Sequence, residues 1–213
     1  MTRYGFVQAG GGSTRFGTDK GLVQFAGKTM LQRTAGLLAS VCDEVSVVAP
    51  PGKYANLPWP IIADRWPGEG PLGGILTVLL HIRERELLQE SRAMDHRSRS
   101  LIVSCDMPFQ TQEFFAFLWE RAALSVAQVI VPQSESGLEP LCACWRTDAV
   151  TAVQGAFDAG VRKVTEAMKH ISIEVLDESA WKRFDTDNRL FWNMNTPEDY
   201  EQARRILETE INE

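Results

Sequence analysis

Apolar and polar positions along the chain fall into blocks whose spacing predicts strands and helices in turn. Short apolar runs that stop at glycine, proline or aspartate, such as residues 4–9 and 44–49, predict buried strands. Apolar residues at helical spacing over 29–41 and 72–88 predict helices between strands. The same pattern predicts further strands at 61–63, 101–105, 128–132, 141–145 and 171–176, and further helices at 112–123, 147–159, 161–169 and 197–210.

This alternation of strands and helices predicts an α/β fold built from parallel βαβ units with right-handed crossovers. Residues 89–100 are polar and rich in arginine, which predicts a solvated connection. Thr196 is a candidate N-cap of the last helix, with Pro197 at its first position and Asp199 three residues after the cap. No repeat or boundary divides the sequence, so we expect residues 1–213 to form a single domain.

Composition narrows the range of partners. The formal net charge is −6, which disfavours nucleic acid as a partner, although a small anionic ligand needs only local donors. None of the four cysteines forms a C-x-x-C pair, and Cys142 and Cys144 are expected to be small buried hydrophobes on one strand. No signal peptide and no apolar run of membrane-spanning length is evident, so we expect a cytoplasmic protein without a membrane partner.

A glycine-rich segment after the first predicted strand is the first candidate binding site. It reads QAGGGSTRFGTDK from Gln8 to Lys20, with Arg15 inside it. Consecutive glycines allow close approach to a ligand, and their N–H groups can surround an anion, while Arg15 and Lys20 add positive charge. The spacing matches neither a Walker A loop nor a dinucleotide fingerprint. The segment therefore predicts a phosphate-binding loop of another type, with a simple turn as the alternative.

Three other segments carry candidate site residues at predicted strand or helix ends. Asp106 follows a strand at the edge where open α/β sheets bind ligands, and a single carboxylate with substrate phosphates suits Mg²⁺. Asp64 precedes a Pro- and Gly-rich loop and could accept hydrogen bonds from a base or a sugar. Asn193 and Asn195 precede the last helix, where local capping is the simpler reading. No nucleophile–base pair is evident, which favours transfer by positioning and electrostatics over covalent catalysis.

Taken together and in this order, the four segments resemble the molybdenum cofactor guanylyltransferase (MobA) family of nucleotidyltransferases. The family patterns L-A-G-G-x-S-x-R-M-G-x-D-K and D-x-x-x-G-x-G-P-L-A-G-I correspond to residues 8–20 and 64–75. Its C-D-x-P-F and N-x-N-T-P-x-D correspond to residues 105–109 and 193–199. Glu139-Pro140-Leu141 and Gly160-Val161-Arg162-Lys163 also match the later half of the family pattern.

The resemblance implies a Rossmann-like three-layer α/β/α sandwich with a mostly parallel sheet, as in nucleotide-diphospho-sugar transferases. It also implies transfer of GMP from GTP to the terminal phosphate of Mo-molybdopterin, with release of pyrophosphate. Arg15, Lys20 and Asp106 would be catalytic, and Asp106 would ligate Mg²⁺. Asp64 would hold the nucleotide, and Asn193 and Asn195 would close the acceptor side. The rest of the implied binding set is Gln8, Ala9, Gly10, Gly11, Gly12 and Ser13.

Departures from the family pattern leave the identity of the nucleotide base undetermined. Gln8 and Phe16 replace the usual Leu and Met, and Ala49-Pro50-Pro51 stands where the family often has an Asn near the base. A cytidylyltransferase acting on molybdopterin, or a sugar-phosphate nucleotidyltransferase, therefore stays an alternative. A non-catalytic nucleotide-binding module and a hydride-transferring Rossmann enzyme are further alternatives. A molybdoenzyme or a cofactor-assembly protein is a possible protein partner.

Overall fold

The computed structural model describes residues 2–10, 19–25, 27–54, 57–88 and 98–212. The predicted strands and helices occur in the predicted order, and the pattern missed three two-residue strands, 24–25, 28–29 and 137–138, and a short helix, 178–181. The strands are β1 (Arg3–Gln8), β2 (Gln24–Phe25), β3 (Lys28–Thr29), β4 (Glu44–Ala49), β5 (Ile61–Ala63), β6 (Arg99–Ser104), β7 (Val129–Ser134), β8 (Gly137–Leu138), β9 (Cys142–Arg146) and β10 (Ile173–Leu176). The helices are α1 (Met30–Ala39), α2 (Pro71–Leu88), α3 (Gln112–Leu124), α4 (Val150–Asp158), α5 (Val164–Ala167), α6 (Glu178–Trp181) and α7 (Pro197–Asn212).

The main sheet has the strand order β10-β7-β9-β6-β1-β4-β5, with β8 paired to β7. Strand β1 pairs in parallel with β4 on one side and with β6 on the other, while β9 runs antiparallel to both β6 and β7. The chain therefore moves outward from β1 through β4 and β5, and then returns to the opposite side of β1. Ligands of open α/β folds bind at the carboxyl ends of the strands at such a reversal.

Two layers of helices cover the two faces of the sheet. In β1, Tyr4 and Phe6 pack into a core beneath α2 and α4, whereas Val7 packs into a second core beneath α1 and α3. This alternation follows from the twofold period of a strand and explains why β1 reads as an almost continuous apolar run. The expected three-layer α/β/α sandwich with a mostly parallel sheet is confirmed.

A smaller third cluster fixes the C-terminal helix against the hairpin formed by β2 and β3. Phe25 and Met30 pack with Met194, Ala203 and Leu207. The predicted cap of α7 is present, because the Asp199 N–H donates to Thr196 Oγ1 over 3.1 Å, and the Thr196 N–H donates back to Asp199 Oδ2 over 2.8 Å. This docking brings the segment before α7 to the same edge of the sheet as the end of β1.

The structure corrects part of the prediction for residues 89–100. Arg99 belongs to β6 and is buried, with 6% of its surface exposed, so it is not part of a solvated connection. Its Nη2 donates to the carbonyl oxygens of Ser125 and Ala127 over 2.7 and 3.0 Å, while Nη1 is buried without a hydrogen-bond partner among the described residues. The remainder of that segment, 89–97, lies outside the described residues.

Two helices are also shorter than predicted. The helix expected over 147–159 begins with a 3₁₀ turn, Thr147–Ala149, and becomes α-helical only at Val150. Of the helix expected over 161–169, only Val164–Ala167 is α-helical.

Cys142 and Cys144 are fully buried on β9, as predicted. Among the described residues, none of the helices combines the length and the apolar character that a membrane span requires.

Candidate active site

A cleft of about 290 Å³ opens at the carboxyl edge of the sheet, beside the point where β4 and β6 flank the end of β1. Its walls come from the strand ends, from the turn that holds Lys20 and from the loop before α2. The described residues that line it are Gln8, Gly10, Asp19, Lys20, Gly21, Val48, Tyr54, Asp64, Gly68, Gly70, Pro71, Ser104, Cys105, Asp106 and Leu141.

Lys20 lies at the centre of this edge, on a single 3₁₀ turn, Lys20–Leu22, that Asp19 caps. Its ammonium group donates to Asn195 Oδ1 over 2.9 Å and lies 3.5 Å from Asp106 Oδ2. Three distant parts of the sequence therefore meet at one ammonium group, which is held between a carboxylate and an amide.

Asp106 stands just past β6, with its side chain 22% exposed. Ser104 Oγ donates to Asp106 Oδ1 over 2.6 Å, and the Met194 N–H donates to the Asp106 carbonyl oxygen over 2.9 Å. These two contacts fix both the carboxylate and its backbone. Oδ2 remains directed toward Lys20, which places an acidic and a basic group side by side in the cleft.

Asp64 follows β5 on the opposite side of β1 from Asp106. Its Oδ1 accepts hydrogen bonds from the Trp66 N–H over 3.0 Å and from Thr77 Oγ1 over 3.2 Å. Thr77 is fully buried in α2, so it holds the carboxylate from a rigid helix. Among the described residues no hydrogen bond engages Oδ2, and this oxygen is left to accept a donor from a ligand.

Gln8, the last residue of β1, directs its side chain toward the first turn of α2. Its Nε2 donates to the Pro71 carbonyl oxygen over 3.2 Å, and its Oε1 is buried without a hydrogen-bond partner among the described residues. Gly74 makes this approach possible, because a Cβ at that position would lie 2.1 Å from Gln8 Nε2. Gly74 therefore serves close packing against Gln8, whereas a Cβ on the neighbouring Gly73 would meet Trp66.

The structure brings some of the predicted site residues together and not others. Gln8, Gly10, Lys20, Asp64 and Asp106 line the cleft, and Asn195 contacts Lys20 directly. Ala9 packs into the core, and its N–H donates to the Val48 carbonyl oxygen over 2.9 Å. Asn193 Nδ2 approaches the Phe191 carbonyl oxygen at 3.4 Å, and Asn193 is not among the described residues that line the cleft. Gly11, Gly12, Ser13 and Arg15 lie outside the described residues.

Asp19, Tyr54 and Ser104 are site residues that the sequence reasoning did not single out. Asp19 had a sequence signal, since it directly precedes Lys20 in the glycine-rich segment. Ser104 also had one, two residues before Asp106 on a strand end. Tyr54 had none, because it reaches the cleft through a loop fold that no local pattern encodes.

The carboxylate of Asp19, beside the turn that holds Lys20, has a shifted pKa and shifts the pKa of Tyr54. Partial burial alone would raise the pKa of Asp19, but hydrogen bonds from Lys53, Tyr54 and the Gly21 N–H outweigh it and hold that pKa below its ordinary value. Burial, followed by the hydrogen bond to Asp19, raises the pKa of the Tyr54 hydroxyl well above its ordinary value. Burial likewise raises the pKa of the Cys105 thiol. The raised pKa values favour the neutral forms of the Tyr54 hydroxyl and the Cys105 thiol.

The sheet order and the cleft at the strand reversal define a Rossmann-like α/β protein with a paired lysine and aspartate at its ligand-binding edge. Solved structures share this fold along nearly the whole chain. The molybdopterin-guanine dinucleotide biosynthesis protein A from Archaeoglobus fulgidus superposes with a TM-score of 0.80 at 22% identity, over 97% of this chain and 99% of that one. The 2-C-methyl-D-erythritol 4-phosphate cytidylyltransferase from Thermus thermophilus superposes with a TM-score of 0.64 at 14% identity, over 95% of this chain and 98% of that one.

The chain belongs to the MobA-like NTP transferase domain family, whose model matches residues 5–172. A relative from Chloroflexus aggregans, named "Probable molybdenum cofactor guanylyltransferase", is 30% identical over 98% of this chain and 97% of its own length. The molybdenum cofactor guanylyltransferase of Syntrophotalea carbinolica is 28% identical over 93% of this chain and 89% of its own length. The resemblance inferred from the four sequence segments is confirmed.

Proposed function

We propose that this protein is a molybdenum cofactor guanylyltransferase that uses all 213 residues as one catalytic domain. In the proposed reaction, an oxygen of the terminal phosphate of Mo-molybdopterin attacks the α-phosphorus of GTP. A new P–O bond forms, the bond from the α-phosphorus to the bridging oxygen breaks, and pyrophosphate leaves. The product is molybdopterin guanine dinucleotide. Four free cysteines, three of them buried, fit a location in the reducing cytoplasm.

One observation carries the proposal: the relationship to named guanylyltransferases spans nearly the whole chain, three of the four matched segments line one cleft, and the fourth reaches it through the hydrogen bond between Asn195 and Lys20. Relatives that shared only the fold would not need Lys20, Asp106 and Asn195 within hydrogen-bonding or ion-pair distance of one another. These contacts join residues 20, 106 and 195 across the fold. Convergence of this kind supports a common active site better than any single motif does.

Lys20 and Asp64 have separate tasks in the proposed mechanism. Lys20 exchanges its contacts with Asn195 and Asp106 for phosphate oxygens of the nucleotide, where it stabilises the negative charge that builds up during displacement. Removing one such preorganised donor typically raises the barrier by about 3 kcal/mol. Asp64, held by Thr77 and the Trp66 N–H, presents its second oxygen to the base or the ribose.

The residues present also fit a Mg²⁺ ion bound together with the nucleotide. Mg²⁺ commonly takes one or two protein carboxylates and completes its shell with substrate phosphates and water. Asp106 supplies one carboxylate that Ser104 orients, and among the described residues no three His, Cys, Asp or Glu side chains form a closed metal cage. Asp106 would therefore hold the ion at the cleft, where the ion would neutralise charge on the phosphates.

The test is pyrophosphate release by the purified protein with Mg²⁺ and Mo-molybdopterin, with GTP, CTP, ATP and UTP assayed in parallel. We expect release with GTP, and a loss by orders of magnitude in Asp106→Ala that retains the wild-type circular dichroism spectrum. A known guanylyltransferase serves as the positive control for the acceptor.

Release with CTP in place of GTP would refute the assignment of the base and leave the class of reaction intact. The loop after β4 gives this outcome a physical basis, because Pro50 and Pro51 stand where the family often carries an Asn. No release with any nucleotide, beside an active control, would refute the proposed acceptor.

A further inference from the structure

The loop after β4 sends one aromatic side chain back across the cleft to the turn that carries Lys20. Tyr54 lines the cleft, and its backbone has φ 60°, in the left-handed region that a bulky residue rarely adopts. Such strain persists only where the surrounding contacts hold the residue in place, and it concentrates at functional sites. The contacts of Tyr54 therefore call for a functional explanation.

Those contacts converge on the carboxylate of Asp19. Tyr54 Oη donates to Asp19 Oδ1 over 2.7 Å, and the Gly21 N–H donates to the same oxygen over 3.0 Å. The Lys53 ammonium lies 2.8 Å from Asp19 Oδ2. Two consecutive residues of the loop, Lys53 and Tyr54, thus bind the residue directly before Lys20.

Tyr54 also packs closely against Gly21, the residue that follows Lys20. A Cβ on Gly21 would lie 2.8 Å from Tyr54 Oη, so the tyrosine hydroxyl rests directly on the backbone of the turn. Lys20 lies between two residues that Tyr54 contacts, and its own side chain reaches Asn195 and the neighbourhood of Asp106. A small displacement of this turn would move the ammonium group away from the centre of the cleft.

We propose that Tyr54 is a positioning residue, which acts through Asp19 to hold the backbone of Lys20 where its ammonium group meets the nucleotide phosphates. The inference rests on the proposed function only in that the ligand is a nucleoside triphosphate. It does not depend on which base is bound, because the tyrosine acts on the phosphate-binding turn. Loss of the Tyr54 contact should therefore lower the affinity for a nucleoside triphosphate and leave the affinity for the nucleoside nearly unchanged.

The experiment compares Tyr54→Phe with wild type in calorimetric titrations with GTP and guanosine, and with CTP and cytidine, all with Mg²⁺. We expect Tyr54→Phe to weaken triphosphate binding by several-fold and at most about tenfold, the limit reached if the whole hydrogen bond to the charged Asp19 is coupled to binding. Binding of the nucleoside without phosphates should change less than about twofold, which is within the effect of a surface substitution.

Tyr200→Phe is the matched control, because Tyr200 Oη also donates one hydrogen bond, over 3.2 Å to the Gln24 carbonyl oxygen, in the packing of α7 on the hairpin. It should bind like wild type.

Equal weakening of triphosphate and nucleoside by Tyr54→Phe would overturn the positioning role, as would unchanged binding of the triphosphate. A wild-type protein that binds no triphosphate at all would overturn the proposed function instead. Loss of triphosphate binding alone, together with an unaffected Tyr200→Phe, would support the inference.

Discussion

Replacing Gly74 by alanine tests the packing of Gln8 against α2. An alanine Cβ would stand 2.1 Å from Gln8 Nε2 and 2.4 Å from Gln8 Cδ. Normal carbon contacts are about 3.5–4.0 Å, so the carboxamide must move by on the order of 1.5 Å. Val48 and Ser104 pair beside Gln8 on the adjacent strands, and α2 closes the third side. The side chain can therefore leave only into the cleft.

The expected changes in stability nearly cancel. Alanine gains about 1 kcal/mol of helix propensity over glycine inside α2. Displacing Gln8 loses its hydrogen bond to the Pro71 carbonyl oxygen, which is worth about 0.5–1.5 kcal/mol net. We therefore expect the free energy of unfolding of Gly74→Ala to stay within about 1 kcal/mol of wild type. Affinity for GTP should nevertheless fall about tenfold, because the displaced side chain occupies the nucleotide side of the cleft.

Gly36→Ala is the matched control, since Gly36 lies inside α1 and a Cβ there would meet nothing within 4 Å. This variant should gain about 0.5–1 kcal/mol, which raises the melting temperature by about 1–4 °C, and should bind GTP normally. Urea denaturation and calorimetric titration give both quantities. If Gly74→Ala matches Gly36→Ala in stability and in affinity, Gln8 does not pack as described. If Gly74→Ala fails to fold, the displacement into the cleft is wrong.

Two further substitutions test the cleft, and a third tests a buried carboxyl group elsewhere in the fold. Lys20→Ala should reduce turnover by orders of magnitude in the pyrophosphate assay while the melting temperature stays near that of wild type; near-normal turnover would exclude Lys20 from the mechanism. Thr77→Val keeps the shape of the side chain but removes the hydroxyl that orients Asp64, so GTP affinity by calorimetry should fall several-fold; unchanged affinity would contradict a role for Asp64 in binding. Burial raises the pKa of Glu139 despite a hydrogen bond from a serine. The protonated carboxyl therefore contributes to the free energy of unfolding, and this contribution is lost as the pH rises through the folded-state pKa. Glu139→Gln should accordingly be more stable than wild type at pH 7–8 in urea denaturation, with the advantage vanishing toward the ordinary glutamate pKa of about 4.3; a difference independent of pH would refute this sign.

Local signals account for the parts of the fold that were predicted well. The strand Glu44–Ala49 has the predicted bounds, because a β-branched run ends at two prolines. Helix α1 begins after Thr29, whose side chain and that of Gln32 form a reciprocal cap, as the apolar spacing from residue 29 predicts. Gln8, Lys20, Asp64 and Asp106 were also predictable, because strand ends and glycine-rich segments mark ligand sites in α/β folds.

Long-range contacts explain what was missed. Arg99 looks like part of a solvated charge run, but the packed fold buries it and supplies the carbonyl oxygens of Ser125 and Ala127 as hydrogen-bond acceptors. Tyr54 enters the site through a left-handed backbone and a hydrogen bond to Asp19, which is 35 residues away in sequence. Neither contact is marked by a repeating pattern of apolar and polar residues in the sequence. Periodicity finds elements and their ends, while the pairing of side chains across elements is decided by the packed fold.

The charges of the described cleft lead to a prediction about metal dependence. The described lining residues include one lysine, Lys20, and three acidic side chains, Asp19, Asp64 and Asp106. Lys53 compensates Asp19, so two aspartates remain against one lysine in the described part of the cleft, where the proposed triphosphate would bind. Repulsion between like charges would oppose binding, and a divalent cation at Asp106 would reverse its sign. Nucleotide affinity should therefore depend strongly on Mg²⁺.

Asp106→Asn separates this electrostatic account from a purely structural one. With Mg²⁺ present, the variant should bind GTP about tenfold or more weakly than wild type, because one charged ligand of the ion is gone. In EDTA, the order should reverse: wild type loses most of its affinity, and the variant binds more tightly than wild type because one repelling charge has been removed. Calorimetric titrations at two salt concentrations provide the control, since the difference in EDTA should shrink as screening increases. If wild type remains the tighter binder in EDTA, Asp106 does not act through its charge, and a role in holding the strand end through Ser104 would explain its loss instead.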